Sequence, residues 1–95
     1  MGFKLTLSAL EDVENIARYT LENWNAAQGE KYLDKLDAGF QQLAENPKLG
    51  RYHDELKKGV YSFPIGSHLA FYRIQENHIE ILAILHKSMD AQRHL

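Results

Sequence analysis

The residues of this chain best suited to chemistry are five histidines: His53, His68, His78, His86 and His94. No two of them are three or four residues apart, and no HExxH or cysteine-histidine spacing occurs, so the pattern is not that of a zinc site. There is also no cysteine, which excludes thiolate nucleophiles and disulfides. The sequence therefore predicts neither a metal site nor a bound cofactor.

Ribonuclease chemistry is the alternative enzymatic function. A small sheet protein that cleaves RNA needs cationic and tyrosine side chains on one face, to activate the 2′-hydroxyl and stabilise the phosphorane. The candidates for such a set are Tyr61, His68, Tyr72, Arg73 and Lys87. Whether they converge depends on the fold, so this alternative stays open at the level of sequence.

The last eleven residues, LHKSMDAQRHL, also gather functional side chains. They are His86, Lys87, Met89, Asp90 and Arg93. This tail could dock on a partner. It could also fold Met89 and Leu95 back onto the sheet while His86 and Asp90, four residues apart, form a local pair. The two interpretations are compatible.

Positive charge is concentrated in residues 47–59, PKLGRYHDELKKG, where two glycines and a proline without sustained periodicity predict a connecting loop. Its candidate contact residues are Arg51, Lys57 and Lys58. The whole chain carries a formal net charge of −2, which gives no general attraction to nucleic acid. Any surface that binds a polyanion must therefore be built locally.

Three elements are predicted before this loop: a strand over residues 3–7 and helices over residues 9–24 and 26–46. The strand segment FKLTL alternates apolar and polar side chains, as a half-buried strand does. Ser8 followed by Glu11 matches a capping box for the first helix, and Asn25 can cap the second. The near absence of a linker predicts an antiparallel helical hairpin.

Three strands separated by short turns are predicted after the loop: residues 60–65, 68–74 and 78–85. Gly66 is the first residue of a two-residue turn, which suits a type II′ hairpin. Pro64 places the first of these strands at an edge or irregular position. The fold class is therefore predicted to be α+β: an N-terminal strand, a two-helix hairpin and a three-stranded antiparallel meander.

The last predicted strand is apolar on both faces. Alternation with a period of two separates its apolar residues into two sets: Ile79, Ile81, Ala83 and Leu85, and Leu82 with Ile84. One helical hairpin covers only one face, so the second face is either packed under the long loop or left for a partner. The predicted core includes Val13, Ala17, Leu36, Phe40, Leu43, Phe71, Ile81 and Ala83.

The length of 95 residues suits one domain, residues 1–95, because two domains would each lack an adequate core. No apolar stretch approaches the ~20 residues that span a bilayer, and the N-terminus lacks the apolar region of a signal peptide. We therefore expect a cytoplasmic protein without membrane or small-molecule partners.

The order of these elements and motifs resembles the ParE branch of the RelE/ParE toxin superfamily over nearly the whole chain. The segments that carry the resemblance are NPKLGR at 46–51, FPIGSHLAFYRI at 63–74 and the ending LH..MD....L at 85–95. The resemblance implies a toxin of a type II toxin-antitoxin system that poisons DNA gyrase by binding. It also implies a ParD-like antitoxin as partner, with operator DNA contacted only through that antitoxin.

The RelE branch of this fold instead cuts messenger RNA in the ribosome. Its members resemble one another in carrying basic residues on the first meander strand, an arginine after the following turn, and an arginine and a tyrosine in the tail. The matching positions here lie near Ser62, Pro64, His68, Ser88 or Met89, and His94 or Leu95. This basic set is absent, so the resemblance favours gyrase as the target and predicts no catalytic residue.

The candidate target-binding residues are Arg51, Lys57, Lys58, His86, Lys87, Met89, Asp90 and Arg93. Two other functions stay open beside gyrase poisoning. One is the ribosome-dependent ribonuclease described above, and the other is a non-toxic protein that binds the antitoxin as a corepressor.

Overall fold

The computed structural model describes residues 1–95, which form one mixed sheet with a helical hairpin on one face. The elements are β1 (Gly2–Leu5), α1 (Leu7–Asn23), α2 (Ala26–Glu45), β2 (Arg51–Tyr52), β3 (Val60–Ile65), β4 (His68–Ile74), β5 (His78–His86) and α3 (Ala91–His94). No helix is both long enough and apolar enough to cross a membrane. The α+β class predicted from the sequence is confirmed.

The sheet has the strand order β1-β5-β4-β3-β2. Strands β3, β4 and β5 form the predicted antiparallel meander, and β1 pairs in parallel with β5. Gly66 has a φ of +59° and no non-glycine residue has a positive φ, which fits a type II′ turn and excludes type I′. The short β2 pairs only with Tyr61 and Ser62. Pro64 therefore lies at an unpaired edge, where its missing N–H costs nothing.

Helix α1 begins earlier than predicted because Thr6, and not Ser8, caps it. The Thr6 hydroxyl oxygen accepts a hydrogen bond from the Ala9 N–H at 3.1 Å. The same hydroxyl donates to the Leu82 carbonyl in β5 at 3.1 Å. The predicted strand over residues 3–7 is therefore too long, because pairing with β5 fixes the helix entrance directly after β1.

A β-bulge interrupts the pairing of β4 with β5. Phe71 and Tyr72 are adjacent in β4, but their partners Ala83 and Ile81 are two residues apart in β5. Leu82 is consequently an extra residue without a partner in β4. An extra residue reverses the in-and-out alternation of the strand beyond it.

This reversal makes one sequence prediction wrong. Ile84 joins Ile79 and Ile81 in the cluster under the helices. Ala83 and Leu85 belong to a separate cluster on the opposite face. A strict period of two had placed Ala83 and Leu85 on the same side as the two isoleucines, and sequence periodicity gives no sign of a bulge.

The predicted core is found, but it is divided between the two faces of the sheet. Leu36, Phe40, Leu43 and Ile81 are buried beneath the helices. Val13 and Ala17 of α1 are half-buried. The remaining predicted residues, Phe71 and Ala83, are buried on the far face.

The far face of the sheet is covered by the chain itself. Its buried residues are Val60, Phe71, Ala83 and Leu85, none of them more than 5% exposed. Leu56 from the long loop packs against them, as do Ala91 and Leu95 from the tail. Of the two alternatives for this face, packing under the loop is confirmed, and a face left open for a partner is wrong.

Candidate functional site

A groove of about 800 Å³ opens beside α1, where β4 begins and β5 ends. The residues that define it are Asp12, Ile16, Tyr19, Trp24, Tyr32, His68, His86, Met89 and His94. Trp24 is 68% exposed, Tyr19 is 63% exposed and Met89 is 42% exposed. Large exposed apolar side chains around a concave surface are typical of an interaction site. The unpartnered apolar surface is thus on the helix side of the molecule.

The floor of the groove is a hydrogen-bonded pair formed by Tyr32 of α2 and His68 of β4. The Tyr32 hydroxyl lies 2.5 Å from His68 Nδ1, and it accepts the Ser67 N–H at 3.0 Å. Burial lowers the pKa of His68, and the nearby His86 lowers it further. Both effects favour the neutral imidazole, which shares this hydrogen bond with the Tyr32 hydroxyl. Although three histidines line the groove, no three metal-binding side chains converge into a site for an ion.

Acid should destabilise the fold through His68. Because the folded state lowers the pKa of His68, the unfolded chain takes up a proton first as the pH drops below about 6.5. Stability is then lost between that pH and the lower folded pKa. We expect the free energy of unfolding to fall less between pH 7.5 and pH 5.5 in His68→Gln than in the wild type, by at most about 1 kcal/mol. Urea denaturation at the two pH values measures this.

His78→Gln is the control for that experiment, since His78 lies outside the groove. This variant should keep the pH dependence of the wild type. If His68→Gln and the wild type lost equal stability on acidification, His68 would not be the group responsible.

Asp12 of α1 is the carboxylate of the groove. Its Oδ2 accepts the Ile84 N–H at 2.9 Å. Strand β1 pairs with β5 only as far as Ile81, so Asp12 binds a part of β5 that β1 does not reach. Burial raises the pKa of Asp12, and the Ile84 hydrogen bond opposes that rise only in part. No sequence pattern singles out this residue, because an acid in the first turns of a helix is usually solvated.

Of the residues proposed for ribonuclease chemistry, Tyr72, His68 and Arg73 do not converge. Tyr72 is fully buried, donates to the Pro47 carbonyl at 2.6 Å and accepts the Gly50 N–H at 3.0 Å. Burial raises the pKa of Tyr72, so it is a poor base. His68 lies in the groove near the other end of β4. Arg73 alternates with Tyr72 and so points to the opposite face of the sheet.

One arrangement of catalytic residue types was missed by the sequence pattern. His53 Nε2 lies 2.5 Å from Ser62 Oγ, and His53 Nδ1 lies 3.0 Å from Glu55 Oε1. These are the contacts of a serine triad. However, Ser62 is only 6% exposed and lies outside the groove. The three side chains hold the long loop against β3, and the hydrogen bond from His53 lowers the pKa of Glu55.

The eight residues predicted to bind a target are all exposed, and they form two groups. Three lie in the loop: Arg51, Lys57 and Lys58. Five lie in the tail: His86, Lys87, Met89, Asp90 and Arg93. Leu56 of the loop and Leu95 of the tail pack on the same buried cluster. The two groups therefore border one face of the sheet, and only His86 and Met89 also line the groove.

The tail folds back through Leu95, which packs on the far face of the sheet, whereas Met89 stays exposed. The predicted pair between His86 and Asp90 is absent. His86 Nδ1 instead contacts the Ser88 hydroxyl at 2.8 Å. Asp90 caps α3 by accepting the Gln92 N–H at 3.0 Å. Because α3 starts at residue 91, the carboxylate is needed at the helix entrance and is turned away from the imidazole.

Known toxins are similar to this chain along nearly its whole length. Residues 3–91 match the family model of the ParE toxin of type II toxin-antitoxin systems. The chain is 35% identical to Toxin ParE1 of Mycobacterium tuberculosis (strain ATCC 25618 / H37Rv), over 98% of this chain and 96% of the relative. It is 33% identical to Toxin ParE1 of Caulobacter vibrioides, also over 98% of this chain and 96% of the relative.

The fold is also that of a solved toxin. A structure of the chromosomal ParDE toxin-antitoxin system from P. aeruginosa superimposes with a TM-score of 0.77 at 21% identity, covering 90% of this chain and 95% of the other. The resemblance first indicated by the motifs at 46–51, 63–74 and 85–95 is confirmed. The chain belongs to the ParE toxin family of type II toxin-antitoxin systems.

Proposed function

We propose that this toxin poisons DNA gyrase by binding to it, and that it is not an enzyme. The observation that carries the proposal is the match to the ParE family over residues 3–91. Gyrase poisoning by binding is the activity that the ParE resemblance implies. A toxin of this kind needs an exposed binding surface and requires no catalytic residue.

The geometry of the sheet supports binding over RNA cleavage. Stabilising a phosphorane requires several cations aimed at one point in a desolvated site. Here the Tyr72 hydroxyl is used within the fold, and Arg73 donates to the Lys58 carbonyl on the far face at 3.3 Å. His68 is paired with Tyr32. Tyr72, Arg73 and His68 are therefore not aimed at one phosphate.

The distribution of charge supports the loop and the tail as the surface that meets gyrase. Helices α1 and α2 hold eight of the 13 acidic residues and three of the 11 basic residues, a net charge of −5. The rest of the chain holds five acids and eight bases, a net charge of +3. An enzyme with bound DNA attracts the positive side. The proposed contacts are Arg51, Lys57, Lys58, His86, Lys87, Met89, Asp90 and Arg93.

An antitoxin is the proposed occupant of the groove. The solved relative is a ParDE toxin-antitoxin system, and the groove presents Trp24 and Tyr19 largely exposed. Apolar surface of this kind is stabilised when a partner covers it. Without its antitoxin the chain is therefore expected to associate with itself or express poorly.

Two parallel assays test the proposed target. Purified chain is added to gyrase with relaxed plasmid, and separately to a translating extract. Loss of supercoiling together with accumulated cleaved DNA is the expected result. Messenger RNA cut at defined codon positions, with supercoiling intact, would establish the ribonuclease instead. No effect in either assay, from a chain that still binds its antitoxin, would establish the inert corepressor.

A further inference from the structure

Asp12 is the only carboxylate that lines the groove, and no lysine or arginine lines it. One carboxylate oxygen, Oδ2, is occupied by the Ile84 N–H. The other oxygen, Oδ1, receives no hydrogen bond from the chain, and no cation lies within ion-pair distance of it. The groove therefore presents one carboxylate, that of Asp12, without a cationic side chain to pair with it.

We propose that Asp12 selects the antitoxin by forming an ion pair with a lysine or arginine of the segment that fills the groove. This inference rests on the proposed binding of an antitoxin, and it adds the chemistry by which the groove recognises one. The predicted partner segment has an apolar face for Trp24 and Met89, with a cationic side chain placed to reach Asp12 Oδ1.

The physical reason is the cost of covering a charge. A carboxylate already half-buried loses its remaining water when a partner segment closes the groove, and that loss is unfavourable unless a cation or donor replaces the water. Burial already raises the pKa of Asp12, because a partly desolvated carboxyl group disfavours its charged form. A partner with a carboxylate at this point would be repelled, so the same residue excludes wrong partners.

The other ionisable groups that face Asp12 across the groove do not replace such a cation. They are Tyr19 of α1, Tyr32 of α2, His68 of β4, His86 of β5 and His94 of α3. Burial and the nearby His86 lower the pKa of His68, which favours its uncharged form. A tyrosine side chain carries no positive charge in either protonation state. His94 attracts Asp12 but forms no ion pair with it.

Replacing Asp12 with asparagine tests the proposal. The asparagine carbonyl can still accept the Ile84 N–H, so the fold should be kept while the charge is removed. We expect Asp12→Asn to weaken binding of the antitoxin encoded beside this toxin by about tenfold to a hundredfold, the range for a hydrogen bond between charged groups. Isothermal titration calorimetry with the purified antitoxin measures this. Glu14→Gln is the matched control, because Glu14 is exposed on the same helix and outside the groove.

A scan of the antitoxin identifies the cation independently of how well the Asp12 variant folds. Each lysine and arginine in its toxin-binding segment is changed singly to methionine and titrated against wild-type toxin. One change should weaken binding by at least tenfold, and it should have little further effect on Asp12→Asn in a double-mutant cycle.

The failures of the two proposals are distinguishable. If the wild-type toxin does not bind the antitoxin at all, the proposed partner is wrong. If it binds, but Asp12→Asn binds equally well or no cation in the scan matters, the ion pair is wrong and the antitoxin proposal stands.

Discussion

Tyr72→Ala should lower the free energy of unfolding by about 3–5 kcal/mol, a large share of the stability of a small domain. The ring is fully buried beneath the helices, so its removal leaves a cavity. The hydroxyl also joins the Pro47 carbonyl to the Gly50 N–H, and both groups would lose that partner. Urea denaturation followed by circular dichroism measures the loss.

One further variant separates the contributions of the ring and the hydroxyl, and another is a control at an exposed tyrosine. Tyr72→Phe keeps the ring and should cost about 1–3 kcal/mol, the cost of leaving buried polar groups unpaired. Tyr19→Ala removes a tyrosine that is 63% exposed and should cost about 0.5 kcal/mol or less. A Tyr72→Ala protein within about 1 kcal/mol of the wild type would show that the tyrosine does not hold the loop to the sheet.

The double variant Lys87→Glu with Arg93→Glu should reduce toxicity at least tenfold without loss of folding. Both side chains are exposed, and the contact of Arg93 with Asp90 is a long surface pair at 3.8 Å, so stability should change little. Charge reversal should nevertheless oppose binding to an enzyme that holds DNA. Survival of cells after induction of the toxin measures the effect.

The matched control reverses two exposed cations of α2, Lys31 and Lys35. It makes the same change in net charge and should leave toxicity close to that of the wild type. Equal loss in both double variants would mean that net charge, and not the tail, determines toxicity. Truncation is a less specific test, because Ala91 and Leu95 pack on the far face of the sheet and their loss would expose that cluster as well as remove the tail.

The fold could be predicted from the sequence because its signals are local. Asn25 caps α2 through the Gln28 N–H at 2.9 Å, as its position before an apolar stripe indicated. The Gly66 turn and the edge position of Pro64 follow from backbone constraints on single residues. Such features depend on few neighbours, so the helical hairpin and the meander are recovered with nearly correct boundaries.

The cap of α1 and the bulge at Leu82 could not be predicted, because both depend on contacts between distant segments. Thr6 is chosen over Ser8 by its hydrogen bond to the Leu82 carbonyl, and 76 residues separate the two. The bulge arises where β5 passes from pairing with β1 to contact with Asp12. A local sequence pattern around Thr6 does not include Leu82, and one around Leu82 does not include Asp12.

The groove was missed for the same reason. Asp12 of α1, Tyr32 of α2 and His68 of β4 come from three separate elements, and none has a sequence neighbour that reveals its role. The family motifs, in contrast, marked residues that stabilise the fold. In the NPKLGR segment, the Pro47 carbonyl and the Gly50 N–H hold Tyr72. A Cβ atom at Gly50 would lie 2.7 Å from the Ser62 carbonyl oxygen, so glycine is required there.

A titration of gyrase with the purified toxin tests binding without catalysis most directly. Cleaved plasmid is quantified at a fixed gyrase concentration well above the dissociation constant, while the amount of toxin is increased. A toxin that acts by binding should give cleaved DNA in proportion to the amount added, reaching a plateau near a stoichiometric ratio, and antitoxin in equal amount should abolish it. Complete inhibition at about one toxin per hundred gyrase molecules, or no cleaved DNA at any ratio, would contradict the proposal.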